Sequence, residues 1–398
     1  MSVKLLAAMA LLTLPLGSPT LAVAQDPATI AASVDVAPFV AHQVHPKIHL
    51  LSTPEEWYAA AIGNVTLIEQ SDGFVVIDSG FNVANGRAVV RYAKSIADKP
   101  IKAVLITHWH GDHPQGVSAI RDAYPKVRII STRGTEAGLR GPASYDIGYS
   151  AHPKFDRAIA NLAEQNKANY RKLLEDPTVA AERKERITKA IDQFDVMIRD
   201  FVGSYLVLPT ETFERELLIN DRDIPVRLMF LGRANTDGDA IAWLPKQKIV
   251  VGGDVVVSPY PFGFGSYSGD WIETLGKIKA LGFTTLIPGH GMPQTDTSYI
   301  DKLVAALTDL RSQIFPLAKA GASLEDVKKK VDFSQSIALF GDTPRVKANL
   351  SSLFFDPMTG SVYKEALGQP ILQGDLTGFP QPEVTDTPPP SRAKRHRS

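Results

Sequence analysis

Apolar positions along the chain change period repeatedly, and each change marks an element. Asn64–Glu69 and Gly73–Asp78 are short runs rich in branched residues, and Ser71-Asp72-Gly73 between them is a hairpin turn. Ala84–Ala97 carries Val89, Val90, Ala93 and Ile96 at the spacing of an amphipathic helix. Ile101–Ile106 then reads as a buried strand, Val117–Ala123 as a helix and Val127–Ile130 as another strand. Strands alternating with helices predict a layered α/β domain.

From about residue 140 to 207 the pattern becomes charged and helical, with helices expected over Asn166–Leu174 and Ala180–Arg199 as an antiparallel pair. This insertion is expected to overhang whatever site the strands build. Strand periods return at Thr212–Ile219, Val226–Leu231, Ala240–Leu244 and Lys248–Gly252, then a helix at Trp271–Leu281 and a last strand at Thr284–Ile287. Residues 47–298 therefore form the expected main domain, and 299–368 a helical C-terminal extension. Within the extension, Ser323-Leu324-Glu325-Asp326 looks like a capping box. Residues 25–46 are expected to be an extended lead-in, with His42, His45 and His49 as surface residues. Residues 369–398, rich in Pro and closing on a basic run, are expected to be disordered.

Composition narrows the picture. The 398 residues carry 43 Lys+Arg against 43 Asp+Glu, so no global field draws the chain to nucleic acid or anionic lipid. At the N-terminus, Lys4 precedes an apolar run from Leu5 to Leu16 and a small-residue site, Ala22-Val23-Ala24. That is the pattern of a signal peptide over residues 1–24, too short to be a membrane anchor, so a periplasmic or secreted protein is expected. There is no cysteine, so a metal has to be held by His, Asp or Asn.

The chemistry concentrates in Thr107-His108-Trp109-His110-Gly111-Asp112-His113, just past the carboxyl end of the Ile101–Ile106 strand. Open α/β sheets bind ligands at such places. Imidazole and carboxylate together suit zinc and its borderline neighbours. Alternate residues on a strand exit point the same way, so His108 and His110 can share one ion, and Asp112 and His113 can reach a second. Three more strand ends carry polar residues beside glycines: the 232–239 segment with Asn235, Gly253-Asp254, and Gly289-His290-Gly291.

Asp78-Ser79-Gly80, the His-x-His-x-Asp-His run, the glycine-rich 232–239 segment, Asp254 and His290, in that order, resemble the metallo-β-lactamase superfamily of hydrolases. The resemblance implies a four-layered αββα sandwich, interrupted here by the helical insertion and followed by the helical extension. It implies a one- or two-metal site, usually zinc: His108 and His110 on the first ion, Asp112, His113 and His290 on the second, and Asp254 bridging both or serving one. It also implies a metal-bound hydroxide as nucleophile, with Asp112 orienting it and handling its proton. Asp78 and Thr107 are candidates to hold the ligand imidazoles from behind, although Asp78 reads equally as a strand-end turn residue.

One position departs from the pattern. Asn235 stands where the family has a third imidazole of the first site, and an amide oxygen is a poorer zinc ligand. The alternatives are a weak first site that leaves a mononuclear enzyme, an Asn235 that ligates or hydrogen-bonds the reacting oxygen, or a chain without catalysis. His152 in the insertion is a remote substitute for the imidazole. The segment Pro259–Tyr267 can line an apolar pocket or simply pack as a loop. These readings converge on an exported hydrolase of a small-molecule ester, lactone, amide or related bond. A class B-like β-lactamase and a non-catalytic metal-binding protein are the alternatives.

Overall fold

The computed structural model describes residues 38–371 apart from 55, 60, 142–163, 165 and 166. Seven strands form one sheet: β1 (Val40–His45), β2 (Ile48–Ser52), β3 (Val65–Glu69), β4 (Phe74–Ile77), β5 (Ile101–Leu105), β6 (Arg128–Thr132) and β7 (Glu211–Phe213), in that order. Five form the other: β8 (Glu216–Ile219), β9 (Val226–Met229), β10 (Ile241–Leu244), β11 (Ile249–Val251) and β12 (Thr285–Ile287), ordered β12-β11-β10-β9-β8. β4 to β7 are mutually parallel, as are β11 and β12, and the remaining pairs are antiparallel.

Alternation along the strands decides the layering. Val75 and Ile77, Ala103 and Leu105, Ala242 and Leu244, and Ile249 and Val251 meet in a core between the sheets. Their neighbours face outward into two further cores. Phe74, Val76 and Val104 pack under the helices Val83–Ile96, Val117–Ala123 and Ala181–Phe201. Ile241, Trp243 and Val250 pack under Ser268–Ala280, Ser298–Lys319 and the helices that follow. Helices, sheet, sheet and helices make the expected αββα sandwich.

Three elements differ from the sequence reading. Thr212–Ile219 is not one strand: it breaks at the exposed pair Glu214-Arg215, and its halves join different sheets. Phe213 and Ile219 both reach the core between the sheets, and a bend lets each do so from its own side. Second, part of the expected lead-in is the edge strand β1, and His49 in β2 is buried with Nδ1 3.2 Å from Tyr92 Oη. Pairing with β3 forces His49 inward, which its polarity did not suggest. Third, the helix Arg133–Arg140 was not anticipated.

The insertion contributes a helical stretch at 167–175 and the helix Ala181–Phe201, tied by Lys167 Nζ to Asp195 at 2.6 Å and by the ring pair Tyr170–Phe194. Contacts of 167 with 195 and of 170 with 194 are those of an antiparallel pair. Gln193 anchors it to the main domain, accepting from Tyr58 N and donating to the Glu56 carbonyl, both at 2.6 Å. In the extension, Ser323 Oγ accepts from Asp326 N at 3.1 Å, as the capping pattern predicted. Among the described residues no helix is long and apolar enough to cross a membrane. The signal-peptide pattern, His152 and the basic tail lie outside the described residues.

Candidate metal centre

Carboxyl ends of both sheets meet at one rim, and each delivers polar side chains there. β4 ends at Asp78, β5 leads into Thr107–His113, β11 into Gly253-Asp254 and β12 into Gly289-His290. Two backbones approach so closely that only glycine fits. A Cβ on Gly63 would lie 2.6 Å from His113 Cε1, and one on Gly289 would lie 2.0 Å from Asp254 Oδ1. Asn64 fastens the two sides together: its N–H donates to the Gly289 carbonyl at 2.7 Å, and its Nδ2 to the carbonyls of Pro288 and Gly291 at 2.9 and 2.8 Å.

The structure brings His108, His110, Asp112, His113, Asp254 and His290 together, all buried. His113 Nε2 lies 3.3 Å from Asp254 Oδ1 and 3.5 Å from Asp112 Oδ2, and His290 Nε2 lies 3.0 Å from Asp112 Oδ2. His108 Nε2 is 3.6 Å from Asp254 Oδ2 and 3.0 Å from His110 Nδ1. Among the described residues, two sets are tight enough for one ion each: His108, His113 and Asp254, and Asp112, His113 and His290. His113 is common to both, and His110 stands beside them, which differs from the partition that the resemblance implies.

Asp78 holds this arrangement from behind. Its Oδ1 accepts from Thr107 N at 2.9 Å, and its Oδ2 accepts from Thr107 Oγ1 and faces His113 Nδ1, both at 2.8 Å. Thr107 Oγ1 in turn lies 3.0 Å from His108 Nδ1. With both Nδ1 atoms so engaged, Nε2 of His108 and of His113 faces the site, the nitrogen through which an imidazole ligates once it carries no proton. Asp78 sits at φ 61°, a left-handed conformation uncommon outside glycine, so this strand-end turn residue also holds Thr107 and His113 in place.

Five buried atoms in this cluster, although some face one another, make no well-aligned hydrogen bond: His110 Nε2, Asp112 Oδ2, His113 Nε2, Asp254 Oδ1 and His290 Nε2. Buried polar groups are nearly always paired, and several orphans in one place call for a cation. Electrostatics agree with that. Burial lowers the His108 pKa well below its usual value, reinforced by His113, His110 and His290. Burial likewise brings His110 down to about 4, against the opposing pull of Asp254 and Asp112. Both stay neutral at pH 7. Burial would also lower His113, but Asp112, Asp254 and Asp78 outweigh it and hold its pKa well above the usual one. Burial pushes Asp112 upward, yet His113, His290 and His110 keep it well below the ordinary carboxylate range.

Asn235 is buried in the loop between β9 and β10, with its Oδ1 accepting from Ser266 Oγ at 2.9 Å. Of the rim aromatics, Phe262 meets the His290 ring edge-on at 5.1 Å, whereas Trp109 and Trp271 are core residues. Gly263 behind Phe262 donates its N–H to the Leu353 carbonyl at 3.0 Å, so the C-terminal extension braces this loop. Tyr145 and Tyr149 lie outside the described residues. Sequence reasoning did not find Ser266, Asn64 or the bracing by Leu353, because no local spacing marks them.

The Metallo-beta-lactamase superfamily model matches residues 59–290, more than half of the chain. The chain belongs to that superfamily. The clustered donor set suits the divalent metals, usually zinc, that the superfamily binds. It is similar to a linear primary-alkylsulfatase from Pseudomonas sp., 22% identical over 359 residues, covering 83% of this chain and 59% of the relative. It is also similar to the alkyl/aryl-sulfatase BDS1 of Saccharomyces cerevisiae, 22% identical over 69% of this chain and 42% of the relative. The chain spans about half the length of the curated relatives it matches. A double mutant of the sec-alkyl sulfatase PisA1 shares the metallo-β-lactamase fold, with a TM-score of 0.53 at 15% identity over 83% of this chain and 50% of that one.

Proposed function

We propose that this metallo-hydrolase is an exported zinc enzyme that cleaves an ester of a small molecule, and that the ester is an alkyl sulfate. The five unpartnered donor atoms from both sheets carry the metal reading. The two curated relatives named as sulfatases support the sulfate ester. His108, His110, Asp112, His113, Asp254 and His290 are the proposed ligands. An ion held by them would supply Lewis acidity, bringing the pKa of water to about 7 and polarising an ester oxygen.

The chain's own groups do the rest. Asp112 would orient the attacking water. A pKa held well below the ordinary carboxylate range keeps it ionised, which suits an orienting group better than a proton store. Asp78, through Thr107 and His113, keeps ligand nitrogens pointed at the site. Phe262 packs edge-on against His290 and makes the wall beside it apolar, which suits an alkyl chain. Asn235 is proposed as a further contact to the reacting group.

The test is turnover of decyl sulfate, p-nitrophenyl butyrate and nitrocefin, each with and without chelator, against a His113→Ala control. Decyl sulfate cleaved by the native protein and restored by zinc after chelation is the expected result. Opening of nitrocefin in preference would make the protein a β-lactamase. Stoichiometric metal with no turnover above the control would make it a binding protein. Export rests on the Met1–Ala24 pattern; a periplasmic fraction whose protein begins at Gln25 supports it, and retention of Met1 refutes it.

A further inference from the structure

Asn235 is held far more firmly than a loop residue needs. Its amide oxygen accepts from Ser266 Oγ at 2.9 Å, and both residues are fully buried. Its Nδ2 is buried too and has no hydrogen-bond partner. The backbone on either side is clamped, because Asp239 Oδ2 accepts from Ala234 N at 3.1 Å and from Thr236 N at 2.7 Å. Tyr267 N donates to the Ala234 carbonyl at 2.9 Å, so the 266–267 and 234–235 segments are joined side by side. Arg233 closes the same junction, lying 4.1 Å over the Tyr267 ring and 2.6 Å from Asp270 Oδ2. At its far end the loop is tied to the residue before His108, through Ala240 N to the Thr107 carbonyl at 2.8 Å.

A carboxamide has one accepting end and one donating end. In the observed orientation the buried Ser266 hydroxyl has the Asn235 oxygen as its acceptor. Turning the amide over would let an N–H donate to the Ser266 oxygen, but the hydroxyl proton and the amide oxygen would then both need other partners. In the orientation with Ser266 as donor the oxygen is occupied, and what Asn235 has to offer is an N–H donor.

We propose that Ser266 is a positioning residue that fixes Asn235 with its N–H groups toward the site, so that Asn235 binds an anionic oxygen of the substrate and is not a metal ligand. This rests on the hydrolase reading above. The substrate class it selects is an ester whose acid portion keeps an accepting oxygen beside the scissile bond, as a sulfate monoester does. An imidazole at 235 would ligate; an amide locked through its oxygen gives up that role for recognition.

Zinc titration and steady-state kinetics on decyl sulfate test this together. Asn235→Ala should bind zinc within about twofold of wild type while kcat/KM falls about 100-fold, the scale of losing one oxyanion donor. Zinc affinity falling tenfold or more would show that Asn235 ligates, and would overturn the proposal. Asn235→Asp has the same shape and guards against a misfolded alanine variant; wild-type turnover by it would show that no N–H donor is needed. Ser266→Ala should lose activity with the same division between kcat and KM as Asn235→Ala, and Ser266→Thr, which keeps the hydroxyl, should restore most of it. The Ser266→Ala/Asn235→Ala double variant should be no worse than Asn235→Ala, whereas additive losses would refute the positioning role. Undiminished turnover by His113→Ala would sink the hydrolase reading instead, and the zinc titration of Asn235→Ala would still decide the ligand question.

Discussion

His110 and His113 leave the same loop three residues apart, yet the protein treats them differently. His113 turns Nδ1 to Asp78 at 2.8 Å and keeps Nε2 for the site. It stands among three carboxylates that hold its proton. His110 instead meets another imidazole, its Nδ1 lying 3.0 Å from His108 Nε2, and its pKa falls to about 4. The first has its orientation and charge set from behind; the second is merely neutral and buried. A carboxylate behind an imidazole fixes the ring and raises its basicity. Zinc held through His113 should therefore bind tightly, and a contribution from His110 should be weak.

Breaking the stronger side should have the largest effect. His113→Ala is expected to abolish stoichiometric zinc and lower kcat/KM more than about 1000-fold, whereas His110→Ala keeps one zinc and loses about 10- to 100-fold. Metal analysis beside kinetics checks both, and equal losses would erase the asymmetry. Asp78→Asn keeps the shape but weakens the partner of His113. Zinc affinity should fall about 10- to 100-fold, as measured by competition with a chromogenic chelator.

The pH dependence sharpens the same contrast. The raised His113 pKa means that the ring is protonated at pH 7 and must release its proton to a metal. Affinity on that side should rise up to about tenfold per pH unit until the folded-state pKa is passed. The His110 side, neutral above about pH 4, should be flat over the same range. Calorimetry in buffers of different ionisation enthalpy would count the released proton, and a count of zero would contradict the charge assignment.

The smallest expected effect concerns Asp239. Burial, with Asp254 adding to it, raises its pKa to about 7 against the hydrogen bonds from Thr236 and Ala234. A raised carboxyl binds its proton more tightly in the folded state, so stability falls as pH rises from about 4 toward 7. In the metal-free protein, Asp239→Asn should remove that loss and raise Tm by several degrees at pH 8 and by less at pH 5. A Tm difference independent of pH would refute it.

Much of this was legible in the chain, for a physical reason. Strand ends are local features, and the polar side chains of the rim follow strand ends, so His108 to His113, Asp254 and His290 could be placed on one rim from the sequence. The layering was legible for the same reason, since alternation such as Val75/Ile77 against Phe74/Val76 is written residue by residue. What could not be read depends on partners distant in sequence. Ser266 meets Asn235 across 31 residues, and Asn64 meets Pro288 across 224. His49 looked like a surface residue because its burial comes from the strand beside it. Glu214-Arg215 looked like strand interior because nothing local says that the chain changes sheets there.

The proposed ligands come from both sheets: His108 and His113 follow β5, while Asp254 and His290 follow β11 and β12. A cation held among them is therefore also a rivet across the seam between the two halves of the sandwich. Stripping it should loosen that seam first, with Asn64 left to hold the halves in register at the rim.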